Sequence, residues 1–304
     1  MELLARLAKL GTDRDTTVGE PSRHQPLTLL WAIARIAAGA SRLAPWSVFQ
    51  PEVGPLLSEY GLPGSKVTPE YPFWHLQGSG LWEVRGLDED VTSMPPVRIL
   101  TDTQPKAGLS PEVAGLLREP GTRLEAMLLL RNHYLQDIDL QSLFDRLGMA
   151  GYSTADGLTD SSEDERAMRT APPERAAGAT QRRKTTSSRP VRDSAIVSRV
   201  KEIYGFRCQV CDTVLQYKRK PYSEAAHIHG LGKPHFGPDE LHNLLCLCAN
   251  HHVLFDGLEI YIDAEGVVRE THDDRPLGPL RRHPDHPIDD KYIDYHRALC
   301  MLNR

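Results

Sequence analysis

The stretch from Cys208 to Asp256 constrains this 304-residue chain more than any other. It opens on a Cys-x-x-Cys pair, Cys208 and Cys211, and closes on Cys248-Ala249-Asn250-His251-His252-Val253-Leu254-Phe255-Asp256. Structural zinc takes four Cys or His ligands in a tetrahedron, and a two-residue gap between two of them pre-forms half of it. Cys208 and Cys211 make one such knuckle, and the second is Cys246-x-Cys248 or Cys248-x-x-His251. We prefer Cys248 with His251, because a one-residue gap points neighbouring side chains of an extended chain to opposite sides. Cys246 is then a buried thiol between Leu245 and Leu247. The expectation is a structural Zn2+ held by Cys208, Cys211, Cys248 and His251. Redox chemistry, the alternative for an isolated Cys-x-x-Cys, is disfavoured by the second knuckle.

Cys300 is the one cysteine outside this stretch. A disulfide framework would be more dispersed and belong to a smaller secreted chain, so a reducing cytoplasmic setting is expected. The start, Met1-Glu2-Leu3-Leu4-Ala5-Arg6, lacks the pattern of a signal peptide. No apolar run approaches the roughly 18 residues of a membrane helix, so no membrane partner is expected. Charged residues at 25% and hydrophobic ones at 40% are ordinary for a soluble globular chain, and the length suffices for two domains. The net charge of -5 does not mark a nucleic-acid binder. Local patches matter more than the sum. Arg182, Arg183, Lys184, Arg189, Arg192, Arg199, Lys201 and Arg207 form a basic run beside the knuckles. There, phosphate contact is a better reading than a solvated charged face.

The spacing of apolar residues predicts helices over 3–10 and from Pro26 to Gly39, and helical pieces over 47–60. Aromatic and turn residues over 71–84 predict a strand pair. Ser110-Pro111-Glu112 starts a helix, and another is predicted over 122–147. The segment 151–188 is rich in small, polar and charged residues and reads as a flexible linker. Further on, a helix over 190–204, a hairpin over 256–262 and 266–268, and a final helix over 289–303 are predicted. The fold class is therefore α+β, with a mainly helical domain carrying a small sheet at 1–150, the linker at 151–188, and a zinc-braced domain at 189–304.

Between and within the knuckles lie Glu224-Ala225-Ala226-His227-Ile228-His229, Asn243, and His252 through Asp256. Phosphodiester hydrolysis needs a base for water, which a neutral imidazole supplies near pH 7. It also needs charge neutralisation at the phosphate and the 3′ leaving oxygen, which a hard cation supplies. This pattern resembles the HNH, or ββα-metal, domain of McrA-like modification-dependent restriction endonucleases. The resemblance covers about 190–304. It implies that His227, on a hairpin, is the general base, that Asn243 holds the hairpin, and that His252, on a helix, binds catalytic Mn2+ or Mg2+. Asp256, one helical turn on, is a second candidate ligand. One departure matters. Many such sites carry an acidic or His ligand just before the base, where this chain has Ala226. His227 itself or His229 would then share the metal, and His229 and His242 are also candidates for phosphate contact.

Upstream, Arg23-His24-Gln25-Pro26-Leu27-Thr28-Leu29-Leu30-Trp31 and Tyr71-Pro72-Phe73-Trp74-His75-Leu76 resemble the sulfur-binding domain of the same family, over roughly 1–150. The resemblance implies recognition of double-stranded DNA bearing phosphorothioate, where sulfur replaces a non-bridging oxygen. Sulfur is more polarisable and less hydrated than oxygen, so a shallow apolar cup favours it. Tyr71, Pro72 and His75 would surround the sulfur, while Arg23, His24 and Gln25 contact phosphates or base edges, with Arg85 a further basic candidate. Phe73 is expected in the core. Two alternatives stand beside this reading: an HNH endonuclease specific for methylated DNA, which would flip the base into an aromatic pocket, and a non-catalytic zinc-containing DNA-binding protein. Cutting both strands requires two active sites, so a homodimer is expected.

Overall fold

The computed structural model describes residues 2–10, 22–88, 91–152 and 194–304. The linker expected over 151–188 lies outside these residues apart from its first two, as do Arg182, Arg183, Lys184, Arg189 and Arg192. The chain divides into two compact units after Ser153. Among the described residues no helix is long and apolar enough to cross a membrane.

The first unit comprises helices α1 (Glu2–Leu7), α2 (His24–Ala37), α3 (Trp46–Tyr60), α4 (Glu70–His75), α5 (Val97–Thr103), α6 (Pro111–Leu116), α7 (Pro120–Tyr134) and α8 (Leu140–Arg146). Strands β1 (Leu43–Pro45), β2 (Trp82–Arg85) and β3 (Lys106–Leu109) form one antiparallel sheet in the order β1-β3-β2. Gly108 of the central strand is required. A Cβ there would lie 1.8 Å from the Arg42 carbonyl oxygen. Helix α3 runs unbroken although Pro51 and Pro55 lie inside it. Both prolines are exposed, so the carbonyls they leave without an N–H partner sit on the solvent side. An edge-to-face aromatic cluster fills the core. Phe49 lies 5.1 Å from Trp31, 4.9 Å from Phe73 and 6.2 Å from Trp82, centroid to centroid. Each such pair adds about 0.5–1.5 kcal/mol beyond simple burial.

Two local expectations fail here. The segment expected as a strand pair over 71–84 is helix α4, then a short 3₁₀ turn (Leu76–Ser79), and only then β2. Pro72 falls in the first helical turn, where no backbone N–H is needed, and this is why it starts a helix and does not break one. The helix expected over 122–147 is two helices, α7 and α8. The first ends at its C-cap, Leu135, and Asp139 starts the second, its carboxylate accepting from the Gln141 and Ser142 amides as the N-cap.

The second unit comprises α9 (Ser194–Ile203), the ribbon β4 (Leu215–Tyr217) and β5 (Lys220–Tyr222), the hairpin β6 (Glu224–His227) and β7 (Leu244–Leu247), α10 (Ala249–Asp256), strands β8 (Ile260–Ile262), β9 (Val267–Glu270) and β10 (Pro276–Pro279), and α11 (Asp290–Asn303). The expected hairpin over 256–268 is β8 with β9, extended by β10 into a three-stranded antiparallel sheet. Strands β6 and β7 pair with Glu224 opposite Leu247 and His227 opposite Leu244, and both strands are wholly buried. Their two faces serve different partners. Ala226, Leu245 and Leu247 pack with Phe255, Ile260 and Tyr292, whereas Ala225, Leu244 and Cys246 pack against Val200 of α9. Helix α11 is capped by Asp289 and holds α10 through His296. That ring stacks on Phe255 at 3.7 Å, and its Nε2 donates to the Phe255 carbonyl at 3.0 Å.

Burial holds His296 neutral and drives its pKa down to about 4. The unfolded chain takes up that proton near the ordinary value of about 6.5, so stability falls as pH drops from there toward 4. The expected loss is about 3 kcal/mol across this window. A pH series of thermal melts checks it, and His296→Gln should flatten the dependence while lowering stability at neutral pH.

Candidate functional site

The loop before β4 doubles back at Asp212, which has a φ of 63°. The Asp212 amide donates to the Cys208 carbonyl at 2.9 Å and the Cys208 amide to the Thr213 carbonyl at 3.0 Å. This turn presents Cys208 and Cys211 together. Cys248 sits at the N-cap of α10, with His251 one turn along. The ligand atoms of Cys208, Cys211, Cys248 and His251 all lie within 4.8 Å of one another. Cys211 Sγ is 3.9 Å from Cys248 Sγ, and His251 Nδ1 is 3.5 Å from Cys208 Sγ and 3.2 Å from Cys248 Sγ. A tetrahedron with bonds of about 2.3 Å has edges of about 3.8 Å, so this donor set fits a zinc-sized ion. Contact with Cys248, helped by backbone amides and opposed by burial, draws the Cys208 thiol down to about 4. The same contact, together with burial, pushes the Cys248 thiol upward. Cys246 points to the other face of β7 and lies 3.3 Å from Ser223 Oγ. Burial lifts that thiol to about 11.

Next to His251 on α10, His252 is buried between two carboxylates. Its Nδ1 contacts Glu224 Oε2, and its Nε2 lies 3.2 Å from Asp256 Oδ2. Burial opposes a charge on this ring, but the hydrogen bonds and charges of Asp256 and Glu224 outweigh it and raise the pKa to about 10. The other Asp256 oxygen, Oδ1, is buried and has no hydrogen-bond partner. A buried carboxylate oxygen in that state costs free energy unless a donor or cation meets it. His252 and Asp256 therefore fit a divalent cation, in donor chemistry as well as helical spacing.

His227 ends β6. Its Nε2 is 3.0 Å from Asp239 Oδ1, and the ring is almost fully buried. Asn243, itself buried, clamps the loop that follows. Its Oδ1 accepts from the His229 amide at 2.8 Å, and its Nδ2 donates to the carbonyls of His229 at 2.9 Å and Pro238 at 2.8 Å. One side chain thus fixes the backbone two residues after His227 and the backbone just before Asp239. The His229 ring is committed elsewhere, stacked on Tyr295 at 3.7 Å and 2.9 Å from the His235 carbonyl. Ala226, at the position where related sites place a ligand, lies in the apolar cluster with Phe255. The strand that ends in His227 also carries Glu224, and through it His252. His227 and His252 are in this way tied to one strand.

In the first unit, Arg23 precedes α2 and grips Asp137 at 2.7 and 2.6 Å. His24 is buried, with Nδ1 3.5 Å from Thr68 Oγ1, and Gln25 is half-buried. The Thr68 contact joins the start of α2 to the segment leading into α4. On α4, Tyr71 and His75 are exposed one turn apart, their rings 5.3 Å from each other, above a buried Pro72. Phe73 is fully buried. Arg85 lies at the far end of β2, with Nε 2.8 Å from Glu83 Oε1.

Sequence reasoning missed Glu224 and Asp239 as partners of the two key histidines. Glu224 meets His252 across the fold, 28 residues on, so no local spacing gives a signal. Asp239 sits in a Gly-Pro-Asp-Glu turn that carries none.

The family model described as "ScoMcrA-like, DNA sulfur-binding domain" matches residues 1–152, and that of the HNH endonuclease matches residues 208–263. The first match spans half of the chain, so the chain belongs to the ScoMcrA-like DNA sulfur-binding domain family, and it carries an HNH endonuclease domain. Among solved structures, the chain is similar to the modification-dependent TagI restriction endonuclease, with 45% identity over 36% of this chain and a TM-score of 0.35. The chain spans 39% of that enzyme's length. It is also similar to the sulfur-binding domain of ScoMcrA complexed with phosphorothioated DNA, with 32% identity over 49% of this chain and 96% of that one, TM-score 0.45. The corresponding SprMcrA domain gives 28% identity over 49% and 94%, TM-score 0.44. No curated protein matches the chain.

Removing the Asn243 side chain takes the partner from three backbone groups, in hydrogen bonds that are partly buried. Asn243→Ala should lower the stability of the second unit by about 4 kcal/mol. Hydrogen exchange at the His229 amide should accelerate in step.

Proposed function

We propose that this chain is an endonuclease that cuts DNA carrying phosphorothioate. The observation that carries the reading is the pairing, in one chain, of a domain from a DNA sulfur-binding family with an HNH endonuclease domain. Solved members of that family are seen complexed with phosphorothioated DNA.

The exposed Tyr71 and His75 rings, packed over the buried Pro72, offer a polarisable, weakly hydrating surface of the kind sulfur prefers. Arg23, Gln25 and Arg85 serve the surrounding phosphates and base edges. Arg23 reaches a phosphate by exchanging its Asp137 partner for it. Burial limits His24 to holding α2 against Thr68. In the second unit, Cys208, Cys211, Cys248 and His251 hold Zn2+ and so fix the start of α10. His252 and Asp256 hold the catalytic Mn2+ or Mg2+. When bound, that cation neutralises charge on the phosphate and the departing 3′ oxygen.

His227 is the general base. Donation of its Nε2–H to Asp239 leaves the basic lone pair on Nδ1, and the imidazolium formed when water loses its proton is stabilised by the same carboxylate. Asn243 keeps His227 and Asp239 in register through the backbone on either side. We further propose domain limits at 1–150 and 189–304, a homodimer that supplies one active site per strand, and a cytoplasmic setting.

With Mn2+ or Mg2+, the protein should cut a phosphorothioate duplex and leave matched plain and methylated duplexes intact. His227→Ala should lower cutting by about 10²–10⁴-fold while modified-DNA binding persists in gel shifts. Cutting of all three duplexes alike, or of none, would sink the reading. Stripping zinc with a strong chelator should abolish cooperative unfolding of the second unit in calorimetry.

A further inference from the structure

The turn joining β4 to β5 breaks a local rule. Two-residue hairpin turns with positive φ at both positions favour Asn-Gly. Here Lys218 has a φ of 50° and Arg219 a φ of 64°. Long charged side chains at such positions carry backbone strain, and strain of this kind concentrates at functional sites. Both residues are exposed, as are Tyr217, Lys220 and Pro221.

Six arginines of the same unit are matched. Arg207, Arg269, Arg275, Arg281, Arg282 and Arg297 each face a carboxylate. Among the described residues, Lys218, Arg219 and Lys220 have no such partner, and the Lys218 ammonium lies 5.0 Å over the Tyr217 ring. Three unneutralised cations at the tip of a solvated two-stranded ribbon fit a polyanion. The B-DNA major groove, about 12 Å wide, admits such a ribbon.

The ribbon is also wired to the nuclease residues. Strand β5 ends at Tyr222, whose hydroxyl donates to Glu224 Oε1 at 2.8 Å. The other Glu224 oxygen contacts His252, and the same strand ends in His227. We propose that the β4–β5 ribbon is a DNA-gripping arm. Lys218, Arg219 and Lys220 bind backbone phosphates of the duplex next to the scissile bond and set its distance from His227. This inference rests on the nuclease reading above and adds to it the surface that holds the cut site.

The test uses the full chain with Lys218→Asn, Arg219→Gly and Lys220→Thr. The first two changes give the turn the residues its geometry prefers, so the melting temperature should hold or rise. Binding to a short unmodified duplex is measured over a salt series. The slope of log affinity against log salt should fall by about one for each phosphate the arm no longer neutralises, about two to three in all. Cutting of modified duplex should drop at least tenfold. An unchanged slope overturns the arm, and does so whether or not the wild type cuts. Failure of the wild type to cut modified duplex overturns the nuclease reading and leaves the slope comparison standing. Should the triple variant melt early, Arg219→Gly alone decides, with an expected slope change of about one.

Discussion

An eight-residue helix is unstable by itself in water, and the candidate site is built on one, α10. Its position depends on ties made at both ends. At the N-terminus, Cys248 and His251 meet Cys208 and Cys211 from a segment far upstream in the chain. At the C-terminus, Phe255 is held under the His296 ring. Between these anchors His252 faces the hairpin and has little freedom to do anything else.

The buried polar pair that results is unusual in its charge. Glu224 and Asp256 flank one imidazole, and a positive charge is needed between them to offset their removal from water. A proton on His252 meets that need, which is why its pKa rises despite burial. A divalent cation held by His252 and Asp256 would answer the same demand. Glu224 is thus more than a strand residue. By engaging Nδ1 it turns Nε2 toward Asp256, the arrangement seen where a second carboxylate orients a metal-binding histidine.

The first unit divides labour along one short helix. Phe73 anchors α4 in the aromatic core, while Tyr71 and His75, on the opposite side, remain exposed. A rigid core beneath the exposed ring pair gives it little freedom to collapse, which would keep the entropy cost of binding a ligand there low.

Much of this was legible in the sequence because it depends on spacing. Cys208-x-x-Cys211 and Cys248-x-x-His251 state their geometry in two residues each, and His252 with Asp256 state theirs in one helical turn. The caps at Ser110 and Asp289 are equally local. What failed was also local but ambiguous. The aromatics of 71–84 suit a strand or a buried helix, and only packing against Trp46 and Phe49 selected the helix. Contacts across the chain were beyond reach. The Glu224–His252 and His227–Asp239 pairs, and the exposed cations of the β4–β5 turn, arise where the folded chain brings or fails to bring charges together, and no periodicity encodes that. By itself, then, the sequence determined which residues could bind metal and take a proton, because ligand spacing is a property of the local chain. Tertiary structure decided which carboxylates orient them and which cations remain unmatched, because burial and charge pairing exist only once distant segments meet.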